Sequence, residues 1–343
     1  MIAWINGGLY AESSRLLAAM TTPRLAEELA QAAGLPPDPD GPDPAFVPYA
    51  AYAGWAERAA RRLGERHFGA VLGVRHRYED LGPYADYVLQ APSLLRAVAR
   101  ARRALPLIAN ASRVEMVARD GRLVVRFRSG VERVVGARHV DEFMPPLIVQ
   151  LFARFQDEGW RPDWIELPAA GGRLDADIAD LLGGIPLRAA DAPGVALRAE
   201  ALQARNNRRP DPRQALVFRD LPALAGGRAP MNFGEATRAA IRLDLRLGEA
   251  SAETVAERLG LGLRTFQRRL RAEGLSFRDL RLEETLARGL ALLTETDLPV
   301  ETVAESLGYD DPSSFRRAFR RRFDHPPSLA RANPLAEAPK RLQ

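Results

Sequence analysis

Two short stretches near the C-terminal end concentrate donors suited to binding anions. Between Gly262 and Arg271 stand Arg264, Arg268, Arg269 and Arg271, with no acid among them. Between Pro312 and Phe323 stand Arg316, Arg317, Arg320, Arg321 and Arg322, again with no acid. A guanidinium is a rigid, planar fork of N–H donors that fits a phosphate or the O6/N7 edge of guanine. Phe266 and Leu270 lie four apart in the first stretch, as do Phe315 and Phe319 in the second. That spacing puts each pair on one face of a helix and leaves the arginines on the other. A run of like charge is usually a solvated face, so the surroundings of these helices must decide between solvent and a polyanion.

The surroundings repeat. Glu253–Glu257 and Glu301–Glu305 both read ETVAE, and each continues to Leu-Gly, at Leu259-Gly260 and Leu307-Gly308. Val255 with Leu259, and Val303 with Leu307, mark the buried side of a short helix, and the glycine permits the left-handed backbone of a tight turn. Helix, glycine turn, helix is the helix-turn-helix pattern, here duplicated. Acids sit on the first helix of each unit and arginines on the second, which is the helix such units insert into the major groove. This segregation predicts binding to double-stranded DNA. Asp310 or Asp311 is expected to cap the second arginine helix, with Pro312 in its first turn. The turn of the second copy is one residue longer than that of the first, so the two are not interchangeable readers.

At these residues the chain resembles the AraC/XylS family. The likeness rests on VAERLGLGLRTFQRRLRAEGLSFRDLR and VAESLGYDDPSSFRRAFRRRFDHPPSLAR, with GYDDPSSFRRAF the most specific part, and spans about 233 to 332. It implies a seven-helix, two-lobed DNA-binding domain. By position it implies that Arg264, Gln267 and Arg268 face bases from the first recognition helix, and Ser313, Arg316 and Arg317 from the second. Arg271, Arg320 and Arg321 are assigned to phosphates. Any single arginine here is also open to a phosphate contact or plain solvent exposure. Three residues depart from the family pattern: Asp324 stands where glycine is usual, Ala330 where an aromatic is usual, and Gly289 lies inside the helix joining the units. A mid-helix glycine costs about 1 kcal/mol relative to alanine.

The elements before residue 220 alternate in type. Helices are predicted through the first 35 residues, with a start at Thr22-Pro23 and a stop at Gly34, and again at Tyr49–Leu63, Tyr84–Gln90, Leu94–Leu105 and from His139 towards Glu158. Arg113–Arg119 and Arg122–Arg128 alternate about Asp120-Gly121, a hairpin signal. Further strands are expected at Val131–Val135, Trp164–Leu167, Ile185–Arg188, Val195–Arg198 and Leu216–Phe218. Through VRHRYEDLGPYADYVLQAPSL, VEMVARDGRLVVRF and WRPDWIEL, this part resembles the arabinose-binding-type sensor domain of a subgroup of these regulators. The resemblance implies a small-molecule effector, homodimerisation, or both. Arg75, His76, Tyr78, Tyr84 and Tyr87 are the candidate effector contacts, His76 and the tyrosines as pocket lining and Arg75, with Arg77, for an anionic group. Their alternative is an ordinary semi-buried role.

The fold class expected is a mixed α+β N-terminal sensor and dimerisation domain followed by an all-α domain with two helix-turn-helix units. The boundaries are residues 1–222, a linker at 223–232, the DNA-binding domain at 233–332 and a tail at 333–343. The 343 residues carry a formal charge of +5, basic enough to permit nucleic-acid binding without requiring it. The excess is almost all arginine, with Lys340 the only lysine, a bias that a GC-rich genome also produces. Cysteine is absent, which removes disulfides, thiolate metal sites and cysteine nucleophiles, among them the methyl acceptors fused to such domains in some repair enzymes. The four histidines form no metal-binding spacing, and no GxSxG, Walker A or GxGxxG motif occurs. No cofactor, no metal and no catalytic residue is expected, nor a signal peptide or membrane span, and the expected location is the cytoplasm. The leading expectation is an effector-responsive transcription regulator. Its competitor is a regulator whose first domain only dimerises, and a remote third is an enzyme fused to a DNA-binding domain. RNA polymerase is a partner implied by the family likeness alone.

Overall fold

The computed structural model describes residues 2–38, 46–131, 133–169, 174–207, 216–218, 221–224, 229–247, 250–295 and 298–332. They fall into two compact units, Met1–Ala229 and Pro230–Gln343.

The first unit mixes helices with two sheets. In chain order it runs β1 (Trp4–Asn6), α1 (Gly7–Met20), α2 (Pro23–Ala32), β2 (Phe46–Pro48), α3 (Tyr49–Leu63), α4 (Phe68–Arg75), α5 (Pro83–Leu89) and α6 (Leu94–Ala104). There follow β3 (Arg113–Arg119), β4 (Arg122–Arg128), α7 (Ala137–Ala153), β5 (Trp164–Pro168), α8 (Ala176–Leu181), β6 (Leu187–Ala190), β7 (Gly194–Leu197) and α9 (Leu221–Leu224). Thr22 caps α2 by accepting from the Leu25 N–H at 3.2 Å, with Pro23 in the first turn, as its sequence predicts. The hairpin β3–β4 turns through Asp120 and Gly121, both at positive φ, which suits a two-residue turn.

β1 and β2 form a small antiparallel pair, and the other strands form one sheet in the order β3-β4-β7-β5-β6. All its pairings are antiparallel except β5 with β6, which are parallel and joined through α8. Alternation gives the sheet two different faces. Val125, Phe127, Ile165, Leu167 and Val195 point into the main core, which α7 shares. Val124, Trp164 and Ala196 form a small cluster on the opposite face. There the Arg188 guanidinium lies 3.6 Å from the centre of the Trp164 ring. The fully buried Glu166 accepts from both Arg119 and Arg126 at 2.6 Å.

Three expectations for this unit need correction. Val131 and residues 133–135 form bends and turns that lead into α7, not a strand; residue 132 lies outside the described residues. Leu216–Phe218 is not a strand either, and packs Phe218 against the core beside Tyr87, with ring centres 6.3 Å apart. The long helix begins two residues earlier than expected, at Ala137, and ends at Ala153. Residues 225–228 of the expected linker and the whole expected tail at 333–343 lie outside the described residues.

The second unit is helical throughout its described residues: α10 (Phe233–Leu247), α11 (Ala252–Arg258), α12 (Leu263–Ala272), α13 (Phe277–Glu295), α14 (Val300–Ser306), α15 (Pro312–Phe323) and α16 (Pro327–Ala332). α13 packs against α10 on one side and against α14, α15 and α16 on the other, so it links two lobes. Phe266 holds the first lobe, with Phe233 and Phe277 edge-on at 5.7 and 5.8 Å. Phe315 and Phe319 hold the second, with Val303, Leu307 and Leu286. Gly289 is a fit rather than a flaw in α13: a Cβ there would stand 3.0 Å from both Leu307 and Phe315, tighter than side chains normally pack. Ala330, the smaller residue where the family favours an aromatic, is buried in the same core.

Candidate nucleic-acid interface and core cavity

The two helix-turn-helix units are built by the same hydrogen bonds. At the end of α11 the Gly260 N–H donates to the Glu257 carbonyl at 2.8 Å and the Leu261 N–H to Ala256 at 2.9 Å. At the end of α14 the Gly308 N–H donates to Glu305 at 2.9 Å and the Tyr309 N–H to Ala304 at 3.0 Å. Gly260 and Gly308 have φ of 69° and 78°, the left-handed conformation in which a side chain is strained.

The turns then diverge. α12 starts from Gly262 without a side-chain cap. α15 starts from Asp311, whose carboxylate accepts the Ser313 and Ser314 N–H groups at 3.0 Å each. Those donors, the Ser313 N–H first, hold the Asp311 carboxyl below the usual carboxylate range. Of the two caps open to the sequence, Asp311 is the one used. At the other end of α15, Asp324 takes φ 64°, which explains why glycine suits that position.

Both arginine helices show one buried face and one charged face. Phe266 and Leu270 of α12 are buried, whereas Arg264, Gln267, Arg268 and Arg271 are exposed and carry no hydrogen bond or ion pair to another described residue. Phe315 and Phe319 of α15 are buried, whereas Ser313, Arg316, Arg317, Arg320 and Arg321 are exposed. Arg316 is ion-paired with Glu301 of α14, and Arg317 donates to the Ser314 hydroxyl at 3.1 Å. The other acids of the ETVAE pair, Glu253, Glu257 and Glu305, stand exposed on the preceding helices. Each unit thus offers a row of guanidinium donors flanked by acids, an arrangement able to grip phosphates and read base edges.

Two features of this unit escaped the sequence reading. Asp244 of α10 is buried, ion-paired with Arg258 of α11, and accepts from the Thr254 hydroxyl at 2.7 Å. The signal was an acid three residues after Ile241 on the apolar stripe of α10. Glu273, just beyond α12, reaches back to cap α10, accepting the Phe233 and Gly234 N–H groups at 3.0 and 2.9 Å.

In the first unit the candidate effector residues separate. Tyr78 and Tyr84 meet, ring centres 6.4 Å apart, and both line a cavity of about 70 Å³ in the core. Val125 and Phe127 of the sheet line it too, as do Phe143, Leu147, Ile148 and Leu151 of α7 and Tyr49 and Tyr52 of α3. His76 is buried outside this lining, its Nε2 3.1 Å from the Ser13 hydroxyl. Burial lowers its pKa from 6.5 to about 4, so the ring is neutral near pH 7. Tyr87 packs instead against Phe218, with the Arg100 guanidinium 4.8 Å from its ring centre. Arg75 and Arg77 are exposed at the surface, the latter chelating Asp80 at 2.8 and 3.1 Å. Among the described residues no cluster of histidine and carboxylate side chains could hold a metal ion, and no helix is long and apolar enough to cross a membrane.

Each half of the chain matches a known family. The family model described as the arabinose-binding domain of AraC transcription regulator matches residues 25–206, and one described as a helix-turn-helix domain matches 255–333. The HTH-type transcriptional regulator VirS of Mycobacterium tuberculosis is 40% identical over 88 residues, 26% of either chain. VqsM of Pseudomonas aeruginosa, also an HTH-type transcriptional regulator, is 39% identical over 71 residues, 21% of this chain and 22% of the relative. The match therefore spans about a quarter of these curated relatives. Among solved structures, the transcriptional regulator CdpR of Pseudomonas aeruginosa aligns over 83% of this chain and 92% of its own, at 22% identity and a TM-score of 0.36.

Proposed function

The chain belongs to the AraC transcription regulators, and on that premise we propose that it is an effector-responsive regulator that reads two adjacent major-groove segments of its operator. The observation that supports this most is the paired faces of α12 and α15, each arginine-rich and free of acids, each set behind an acidic helix by the same glycine turn. Arg264, Gln267 and Arg268 take base contacts in one segment and Ser313, Arg316 and Arg317 in the next; Arg271, Arg320 and Arg321 hold phosphates.

Residues 1–222 act as the sensing and dimerisation domain, 223–232 as linker, 233–332 as the DNA-binding domain and 333–343 as a tail. Tyr78 and Tyr84 are the effector contacts favoured by the cavity they line, while Arg75, His76 and Tyr87 sit elsewhere. The working form is a homodimer in the cytoplasm that bends the decision of RNA polymerase at its promoter. Regulation rather than catalysis is also the activity named for the curated relatives. The test is selection of binding sites from fragmented genomic DNA by the purified chain at physiological salt. A recurrent motif of two blocks a helical turn apart is the expected product; recovery of unrelated fragments in proportion to their abundance would refute the proposal.

A further inference from the structure

The chemistry of the effector is legible in the cavity. The inner chamber, about 70 Å³, is bordered by no charged side chain among the described residues. Two of the four tyrosine hydroxyls that border it are hydrogen-bonded: Tyr52 to the Ser13 hydroxyl at 3.1 Å, and Tyr84 to the Ala101 carbonyl at 3.4 Å. A sugar carries more hydroxyls than this largely apolar lining can pair, and each one stripped of water without a new partner is penalised. Apolar carbon meets no such penalty.

The chamber has a neighbour. A second cavity, about 230 Å³, shares Leu9, Leu81, Tyr84 and Ile108 with the first. Its remaining lining is mixed: Asn6, Arg15 and Asp80 supply polar groups, and Leu221 and Leu224 of α9 close one side. α9 is the last described helix before the DNA-binding unit in the chain. Leu221 is buried, while Leu224 is half exposed.

Building on the effector-responsive reading above, we propose that the effector is an amphipathic small molecule. Its uncharged hydrocarbon part fills the inner chamber, and its polar end lies in the outer cavity against Asn6, Arg15 and Asp80, touching α9. The wall shared by the two cavities positions both ends at once. Occupancy is then registered by the segment of chain that leads into the DNA-binding unit.

The test uses the full chain with hexanol, octanol and decanol as probes and L-arabinose as the hydrophilic comparator, binding being read by calorimetry. Each added pair of methylenes is expected to tighten binding by about tenfold until the chamber is full. Decanol is expected to slow amide hydrogen exchange in α9, and arabinose to give no heat. The variant Ala101→Leu, which adds volume at the chamber wall, is expected to bind decanol at least tenfold more weakly while its circular dichroism matches the parent; should it misfold, the chain-length series on the parent chain still decides. Absence of a chain-length trend, tighter binding of arabinose, or decanol binding with unchanged exchange in α9 would each overturn the proposal. DNA binding measured alongside keeps the two claims apart. Selective DNA binding without alcohol binding defeats only the effector chemistry, whereas loss of selectivity with and without alcohol defeats the regulator reading itself.

Discussion

Under the proposed division of contacts, Arg316 must give up its ion pair with Glu301 before it can reach a base. Both side chains are roughly half exposed, so the pair is worth at most about 1 kcal/mol and is readily exchanged. Arg268 has no such partner among the described residues. Replacing Arg268 or Arg317 by alanine is expected to cost roughly 1–3 kcal/mol on the selected operator and little on unrelated DNA, as read by fluorescence anisotropy. Arg320→Ala is expected to weaken binding to all sequences and to flatten the log K against log salt plot by about one unit. An Arg320 variant that changed sequence preference instead would reverse the division into base and phosphate contacts. His76 provides a test in the other unit. Its folded-state pKa, about 4, lies below the 6.5 of an ordinary histidine because burial penalises the charged ring. Below pH 6.5 the unfolded chain takes up a proton that the folded state refuses, so stability is whole above that pH and falls as pH drops towards 4. The loss is up to roughly 3 kcal/mol. Urea titrations across this window are expected to show a shallower fall for His76→Gln; equal slopes would contradict the assignment. The arginines were legible because like charge and apolar spacing sit on one short helix. The separation of His76 and Tyr87 from the cavity was not, because nearness in sequence does not fix which side of α4 or α5 a residue faces.

At the scale of elements, the ETVAE repeat disclosed both helix-turn-helix units, and the extra residue of the second copy falls at Asp310, between Tyr309, which matches Leu261, and Asp311, a side-chain cap where α12 has Gly262. The hairpin at Asp120-Gly121 was equally readable, since turn chemistry and alternation agree. α4 was not foreseen: Gly69 and Gly73 weaken its helical signal, yet a Cβ at either would collide with the backbone of α7 at His139 or Phe143. Its glycines record a tertiary contact that local propensity cannot express. The tie between α10 and α11 was hidden for the same reason, because Asp244 finds Arg258 only after folding. Both members are nearly fully buried, so removing one leaves an unpaired charge in the core. Asp244→Ala is expected to destabilise the DNA-binding unit by about 3–5 kcal/mol, seen as a lower urea midpoint. A change under about 1 kcal/mol would show that the pair is solvated in practice.

For the whole molecule, the chain combines a unit with an apolar cavity and a unit with two unlike arginine-rich faces, proposed to read DNA. The unlikeness matters most. One face offers Arg264, Gln267 and Arg268, the other Ser313, Arg316 and Arg317, so one protomer is expected to occupy an asymmetric site, and a dimer to double it into repeated half-sites. Hydroxyl-radical footprinting of the full chain on its selected operator tests this most directly, with Arg268→Ala and Arg317→Ala beside the parent. The account predicts two protected blocks per protomer about one helical turn apart, the first fading in one variant and the second in the other. A single protected block, or both variants weakening the same block, would contradict it.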